Sequence, residues 1–364
     1  MRIHSVSVAD ASSQTSKFAP APVLIRSLDA EQTGAWDDFV WRHPEATFFH
    51  LTGWMRVIAE TFRYAPRYLY ATRGEGVTGV LPLFETDNWL QGKCLISTPM
   101  AVYGGICAED EPSRAALLEA AIQLAHRENV QHLELRQRAG ETFAGFRSNA
   151  LYSSFCGKLE TDPEVLLKRL PRDTRYMIRK AQKKGLEVVR GAEQVRLFYN
   201  LFVQSMRRLG TPTFPLRLFE NLVDEFKALV DITVLYSGKA PVAGVFSFRY
   251  RDTILPYYAG ASPEAPGLAA NNLLYWELMT QSAAEGLQWF DFGRSKKGTG
   301  AYAFKSQWSM DAQPLSYQLY LVKRKSVPNF TPLNPKFERA AQIWSKLPLG
   351  LTTRLGPHVV RWFP

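Results

Sequence analysis

Apolar positions recur along the chain in two runs of the same design. Tyr68 to Phe84 reads as a strand, a glycine-containing turn and a second strand entered through Gly79-Val80. Asp231 to Phe248 repeats this, with Gly244-Val245 at the matching place. Short apolar runs bounded by turn residues are strand signals. A third strand ending in small residues is expected at Ala101 to Ile106, and again at Pro256 to Ala261. Helical spacing follows in each copy. Pro112 to Arg127 places Ala115, Leu118, Ile122 and Ala125 on one side, and Leu268 to Glu285 does so with Leu273, Leu274, Leu278 and Met279. A further strand closes each unit, Asn129 to Leu135 and Gly286 to Phe292.

The copies are offset by 165 residues at Gly79/Gly244 and by 157 at Leu133/Phe290, the difference being a longer loop at 87–93 in the first. So long a period means duplicated domains, because solenoid units run to about 20–50 residues. The expected fold class is α/β (α+β), with each domain a mixed twisted sheet flanked by helices. Residues 1–20, rich in Ser and Ala, read as a flexible arm, 21–157 as a first domain, 158–322 as a second, and 323–364 as a basic, proline-rich C-terminal arm. The boundary is set near Gly157, ahead of the helix-start signal Thr161-Asp-Pro-Glu. Ser316 to Val322 alternates as a last strand, and a short helix is expected from Asn334-Pro335 to about Lys346.

With 46% hydrophobic and 21% charged residues in 364, the composition is that of a globular protein. No apolar run reaches the roughly 18–20 residues of a spanning helix, and the first residues lack the apolar core of a secretory signal. Cys94, Cys107 and Cys156 form no CxxC pair and have no clustered histidine. Reduced thiols, no metal and a cytoplasmic location are the expectation. The net charge of +10 is concentrated. Lys168 to Arg190 holds nine basic and two acidic residues, Leu321 to Pro364 eight basic and one acidic, and the rest of the chain nets −4. Two such surfaces suit phosphates, nucleic acid or anionic lipid; a solvated helix face is the plainer alternative.

Three stretches carry a resemblance. They are Pro66-Arg-Tyr-Leu-Tyr leading to Gly79-Val-Leu-Pro-Leu, the basic segment Leu170-Pro-Arg-Asp-Thr-Arg-Tyr-Met-Ile-Arg-Lys-Ala-Gln-Lys-Lys-Gly-Leu-Glu-Val, and Phe290-Asp-Phe-Gly-Arg-Ser with Phe304-Lys305-Ser-Gln-Trp308. In this order and spacing the chain resembles, over residues 22 to 322, a tandem pair of GNAT-superfamily acyltransferase domains of the FemAB and BioF2-like kind. The tail segments Asn334-Pro-Lys-Phe, Leu347-Pro-Leu and Leu355-Gly-Pro-His resemble the subset associated with exosortase (PEP-CTERM) and exopolysaccharide loci. The resemblance implies transfer of an aminoacyl or acyl group to an amine of a peptidoglycan-like or exopolysaccharide precursor. It implies no tightly bound cofactor and a donor, aminoacyl-tRNA or acyl-CoA, as co-substrate. The Arg/Gln-x-x-Gly-x-Gly loop of acetyl-CoA users is missing from 262–272 and 108–113, which favours the Fem-like donor.

Acyl transfer to an amine needs a neutral amine, a stabilised oxyanion and correct positioning. No GxSxG elbow or Cys/His frame points to a covalent nucleophile, so direct attack in a ternary complex is expected. By the resemblance, Lys305 is the cation that meets developing negative charge; the alternative is a surface lysine at a strand edge. Asp291 is a candidate proton acceptor or orienting group, or else a loop cap. Arg294, Lys296 and Lys297 lie in what reads as a Gly-rich cationic loop, either an anion nest or a soluble hairpin. Arg172, Arg175, Arg179 and Lys183 form a cationic stripe at helical spacing that suits a phosphate backbone such as a tRNA end. Tyr258 and Trp308 are candidate pocket aromatics, although core is the usual fate of such residues. The tail mixes Phe337, Ile343, Trp344 and Leu347 with Lys336, Arg339 and Lys346. It fits packing across both domains, with peripheral contact to the inner membrane surface as the alternative. The rival class is a non-catalytic RNA-binding or membrane-surface module on the same fold.

Overall fold

The computed structural model describes residues 21–138, 142–149, 151–328 and 335–364; the expected N-terminal arm, 1–20, lies outside them. No described helix is long and apolar enough to cross a membrane.

The second half builds one sheet of seven strands. Val230–Ser237, Ala240–Tyr250 and Thr253–Ala261 form an antiparallel meander. Thr253–Ala261 then runs parallel to Trp289–Lys296, joined to it by the helix Ala270–Ala284. This helix buries Leu273, Leu274, Leu278 and Met279, as its spacing predicts. The chain enters it through Ala269, whose left-handed backbone separates it from a short turn, Ala265–Leu268.

The first half repeats the plan with one interruption. Gly76–Leu81 bends at Pro82, which has no N–H to donate to a ladder, and continues as Phe84–Thr86. The third strand is correspondingly split. Cys94–Ser97 pairs with Phe84–Thr86, and Cys107–Ala108 pairs with Gly76–Leu81. Residues 98–106 bulge out between them. The expected strand at Ala101 to Ile106 is therefore not formed: Pro99 and the pair Gly104-Gly105 weaken pairing, and side chains take up the carbonyls instead. Arg136 Nη1 donates to Thr98 O and Ala101 O at 3.0 Å, and the Tyr317 hydroxyl to Val102 O at 2.6 Å. The helix Glu111–Arg127 forms as expected, capped by Asp110, but Ser113, Leu117, Ala121, Leu124 and Ala125 are its buried residues. Ala115 faces water, one step away from the expected stripe. Gly79 faces this helix closely: a Cβ there would lie 2.9 Å from Leu117.

The halves exchange strands. Tyr152–Lys158 runs across the expected boundary near Gly157, mostly on its first-half side, yet it pairs with Trp289–Lys296 in the second sheet. Ser316–Leu321 comes from the far end of the second half, yet it pairs with His132–Gln137 in the first. The halves also share a core, in which Phe48, Phe49 and Trp54 meet Phe246 and Phe248, with the Phe48 and Phe248 rings stacked at 4.3 Å. Burial of this kind is the main stabilising term in folding.

The tail forms two helices. Pro335–Lys346 is the expected one, and the side chains of Lys336 and Phe337 lie outside the described residues. Leu349–Val360 was not expected, because Pro357 lies inside it. Both pack on the helix Val195–Arg208.

Candidate active site

The parallel strands Thr253–Ala261 and Trp289–Lys296 pair only at Thr253/Trp289 and Ile254/Phe290, then separate. The wedge left between them holds a cavity of about 260 Å³. Tyr257 and Tyr258 line one wall, Gly293 and Arg294 the other, and Lys305 also faces it. The first half contributes Met100 and Val102 from the bulging segment 98–106. That segment is pinned in place by the Tyr257 hydroxyl, which donates to Met100 O at 2.9 Å.

Lys305 lies on the short helix Gly300–Ser306, started by the Thr299 side-chain cap. Its ammonium donates to Phe292 O at 2.6 Å and Arg294 O at 3.0 Å, with Gly293 O at 3.4 Å. These carbonyls converge because Gly293 has a φ of +65°, a conformation glycine adopts without a Cβ penalty. A register shift in the pairing with Tyr152–Lys158 falls at the same point. Burial pushes the Lys305 ammonium down to about 8, against the pull of Asp291, and Arg294 adds to the lowering. Lys305 is thus a half-buried clamp on the bulge that also lines the cavity, and not a strand-edge surface lysine.

Arg294 is half-buried and lines the cavity together with Lys305. Its guanidinium lies over the Tyr152 ring at 5.0 Å and donates to the Tyr317 hydroxyl at 3.2 Å. It lines this cavity and a neighbouring one of about 210 Å³, which reaches Glu134 and Arg136. Arginine carries five N–H donors, so the Tyr317 bond leaves most of them for a ligand. Tyr258 adds a buried hydroxyl with no hydrogen-bond partner, and burial holds it well above the usual phenol range and so protonated.

Asp291 is not grouped with Lys305 in the cavity. It is 2% exposed and takes the Tyr103 hydroxyl at 3.0 Å and the Gly293 N–H at 2.8 Å, with Arg138 at 3.9 Å. Its side chain is turned toward the first half because Phe290 and Phe292 on the same strand face the helix-side core. Burial, then Asp291, pushes the thiol of Cys156, across the ladder from Asp291, up to about 11.

Other expectations change as well. The expected loop at 294–300 is mostly strand and helix: Arg294 and Lys296 belong to Trp289–Lys296, and Gly300 opens the next helix. Lys296 is buried, its amine unpartnered and lowered by burial, so it forms no exposed nest, whereas Lys297 is exposed. Trp308 is 2% exposed and packs against Phe292 and Phe304, so it is core and does not line the cavity. Arg172, Arg179 and Lys183 point to water, and Arg175 is half-buried with a bond to Lys168 O. Their helix, Arg172–Gln182, buries Thr174, Ile178 and Ala181, and Thr174 is bonded to Gln307 O at 2.9 Å. That bond ties the buried face of the basic helix to the end of the Lys305 helix, and the stripe lies on the exposed face. Tyr103, Arg138 and Tyr317 carry no local signal in the sequence, since their importance arises from contacts with residues more than 20 positions away.

Residues 168–306 match the acetyltransferase (GNAT) domain. The matched GNAT domain contains the basic helix, the splayed strands, Arg294 and Lys305. No curated protein matches the sequence. Among solved structures, the chain is similar to FemX, with 15% identity, 82% of this chain and 98% of that one covered, and a TM-score of 0.63. L-PGS from Bacillus licheniformis is similar at 14% identity, 88% and 99% coverage and a TM-score of 0.54. A tandem GNAT protein from the clavulanic acid biosynthesis pathway is similar at 12% identity, 84% and 100% coverage and a TM-score of 0.51. The fold is a tandem GNAT-like one.

Proposed function

We propose that this chain is an acyltransferase that moves an aminoacyl or acyl group onto an amine of a cell-envelope or exopolysaccharide precursor, by direct attack in the wedge between the splayed strands. The observation that carries the reading is Arg294, a cation aimed into a partly closed cavity inside a matched GNAT domain. The amine nitrogen attacks the donor carbonyl carbon, a C–N bond forms, and the C–O or C–S bond to the donor breaks. The amine's surplus proton ends on the leaving oxygen or sulfur. Arg294 and the unpartnered Tyr258 hydroxyl supply donors for the oxyanion; removing one donor of this type costs about 10²–10³ in rate. Lys305 acts through the bulge it clamps, as a positioning residue.

The Fem-like donor, an aminoacyl-tRNA, fits the exposed stripe of Arg172, Arg179 and Lys183 on the helix whose Thr174 is bonded to Gln307 O. The domain match favours a second reading, with a CoA thioester as donor. Native mass spectrometry with equimolar acetyl-CoA and an aminoacylated acceptor-stem mimic decides between them. Binding of the RNA alone supports the first reading, and binding of acetyl-CoA alone the second. With the bound donor, Arg294→Ala should lose about 10²-fold or more in transfer to amine acceptors. Transfer unaffected by Arg294→Ala overturns the site. RNA binding with no transfer from any donor leaves the non-catalytic module.

A further inference from the structure

The helix Leu349–Val360 shows its leucines to water and hides smaller residues. Thr352, Gly356 and Val360 face the protein, whereas Leu351 and Leu355 are 42% and 41% exposed. Gly356 sits so close to Thr213 that a Cβ would meet its backbone N at 2.8 Å, so the seated face is fixed. Trp362 N and Phe363 N donate to Val359 O and Val360 O at 3.1 and 3.0 Å, which carries the turn on to Trp362. Leu351, Leu355 and Trp362 thus stand at i, i+4 and i+11, a single stripe on the side away from the seated face. Trp89, on the loop of the first half, meets Trp362 edge to face at 5.2 Å and is itself 74% exposed, so it extends the stripe. Gln91 Nε2 donates to Trp362 O at 2.8 Å and the Tyr64 hydroxyl to Arg361 O at 2.6 Å, which holds the two parts together.

Single exposed apolar residues are normal, but an aligned set rimmed by charge marks an interaction surface. The charge narrows the partner. Residues 339–364 hold four basic residues and no acidic one. Two of the four, Arg354 and Arg361, are exposed and flank the stripe. A second copy docked symmetrically on this face would set these arginines against their own counterparts, which like charge opposes. An anionic lipid surface answers both features. Tryptophan and leucine enter the headgroup boundary, and arginine meets the lipid phosphates. No described helix can cross a membrane, so the contact is peripheral.

We propose that Trp89, Leu351, Leu355 and Trp362, with Arg354 and Arg361, form a surface that lays this protein on an anionic lipid membrane. Such docking stands apart from the reaction proposed above and is measured without donor or acceptor.

Cosedimentation of the full chain with vesicles of equal parts phosphatidylglycerol and phosphatidylcholine, against vesicles of phosphatidylcholine alone, tests it. Partitioning should be about tenfold or more stronger on the anionic vesicles and should weaken as salt shortens the Debye length below about 10 Å. Leu351→Ser with Leu355→Ser changes only exposed side chains and should lower partitioning about tenfold. Arg354→Gln with Arg361→Gln should lower it about thirtyfold on the anionic vesicles. Partitioning unchanged in the leucine variant overturns the proposal, since binding then comes from another basic surface such as the helix Arg172–Gln182. So does a failure to bind either vesicle. A dimer in analytical ultracentrifugation that the leucine variant dissociates also overturns it, because a second copy then covers the stripe. Should the leucine variant not fold, unchanged partitioning of the arginine variant overturns the proposal instead.

Discussion

The Tyr103 hydroxyl, on the bulging segment of the first half, donates to the buried Asp291 carboxylate on the strand Trp289–Lys296 of the second at 3.0 Å. The bond joins residues 188 apart in sequence. Tyr103→Phe keeps the ring and removes the donor. Hydrogen bonds to charged groups contribute about 1.5–3 kcal/mol, so the variant should lose stability in that range. Urea unfolding should show a lower midpoint with an unchanged slope.

Gly293→Ala tests the bulge. The added Cβ would have 3.6 Å to Val102, so space is available and the φ of +65° is what resists it. A left-handed backbone costs a residue with a Cβ about 1–2 kcal/mol. The variant should be destabilised by that amount and should also lose transfer activity, because the carbonyls that hold Lys305 diverge. Gly293→Asn should lose less of both, since Asn visits this conformation more readily. Equal losses in the two variants would count against the backbone explanation.

His50 sets an acid limit. Its Nδ1 accepts the Thr47 N–H at 3.1 Å, and its Nε2 lies 3.0 Å from Gly105 O. Burial pushes the imidazole down to about 4, against the bond to Gly105 O, which favours the protonated ring. Between the ordinary value of 6.5 and about 4, the unfolded chain takes up a proton that the folded chain does not. Stability from this group is therefore complete above pH 6.5 and falls as pH drops, by roughly 3 kcal/mol once below pH 4. His50→Gln should flatten this limb in urea titrations run from pH 7 to 4.5. A limb of unchanged depth would mean that another group carries it.

The basic stripe gives a salt-dependence test. Arg172→Glu with Arg179→Glu changes only exposed side chains, so the fold should be kept. Affinity for an acceptor-stem RNA should drop, and the slope of log affinity against log salt should fall by about 2, near one unit for each phosphate no longer neutralised. Acetyl-CoA binding should not change. An unaltered slope would make the stripe a solvated face.

Much of the architecture is legible in the local pattern. The repeated strand–turn–strand with Gly79 and Gly244, the helix Ala270–Ala284 with its buried leucines, and the start at Asp162-Pro163 all form where their spacing puts them. Local signals were misleading where distant partners set the outcome. Segment 98–106 forms no strand because Arg136 and Tyr317 hold its carbonyls. Lys296 went inside, although its neighbours fit a loop. Pro357 did not end the last helix, whose Thr352, Gly356 and Val360 are seated by tertiary packing.

The sequence by itself determined that two related α/β units stand in tandem, because hydrophobic period and turn chemistry act over a few residues at a time. It also marked Arg294, Asp291 and Lys305 as close neighbours of one strand. Which of them faces the cavity was decided only in three dimensions. The left-handed turn at Gly293 gives three carbonyls to Lys305. The first half takes Asp291 through Tyr103. Arg294 and the clamped Lys305 are left lining the wedge, since a side chain's direction depends on backbone geometry and on partners far away along the chain.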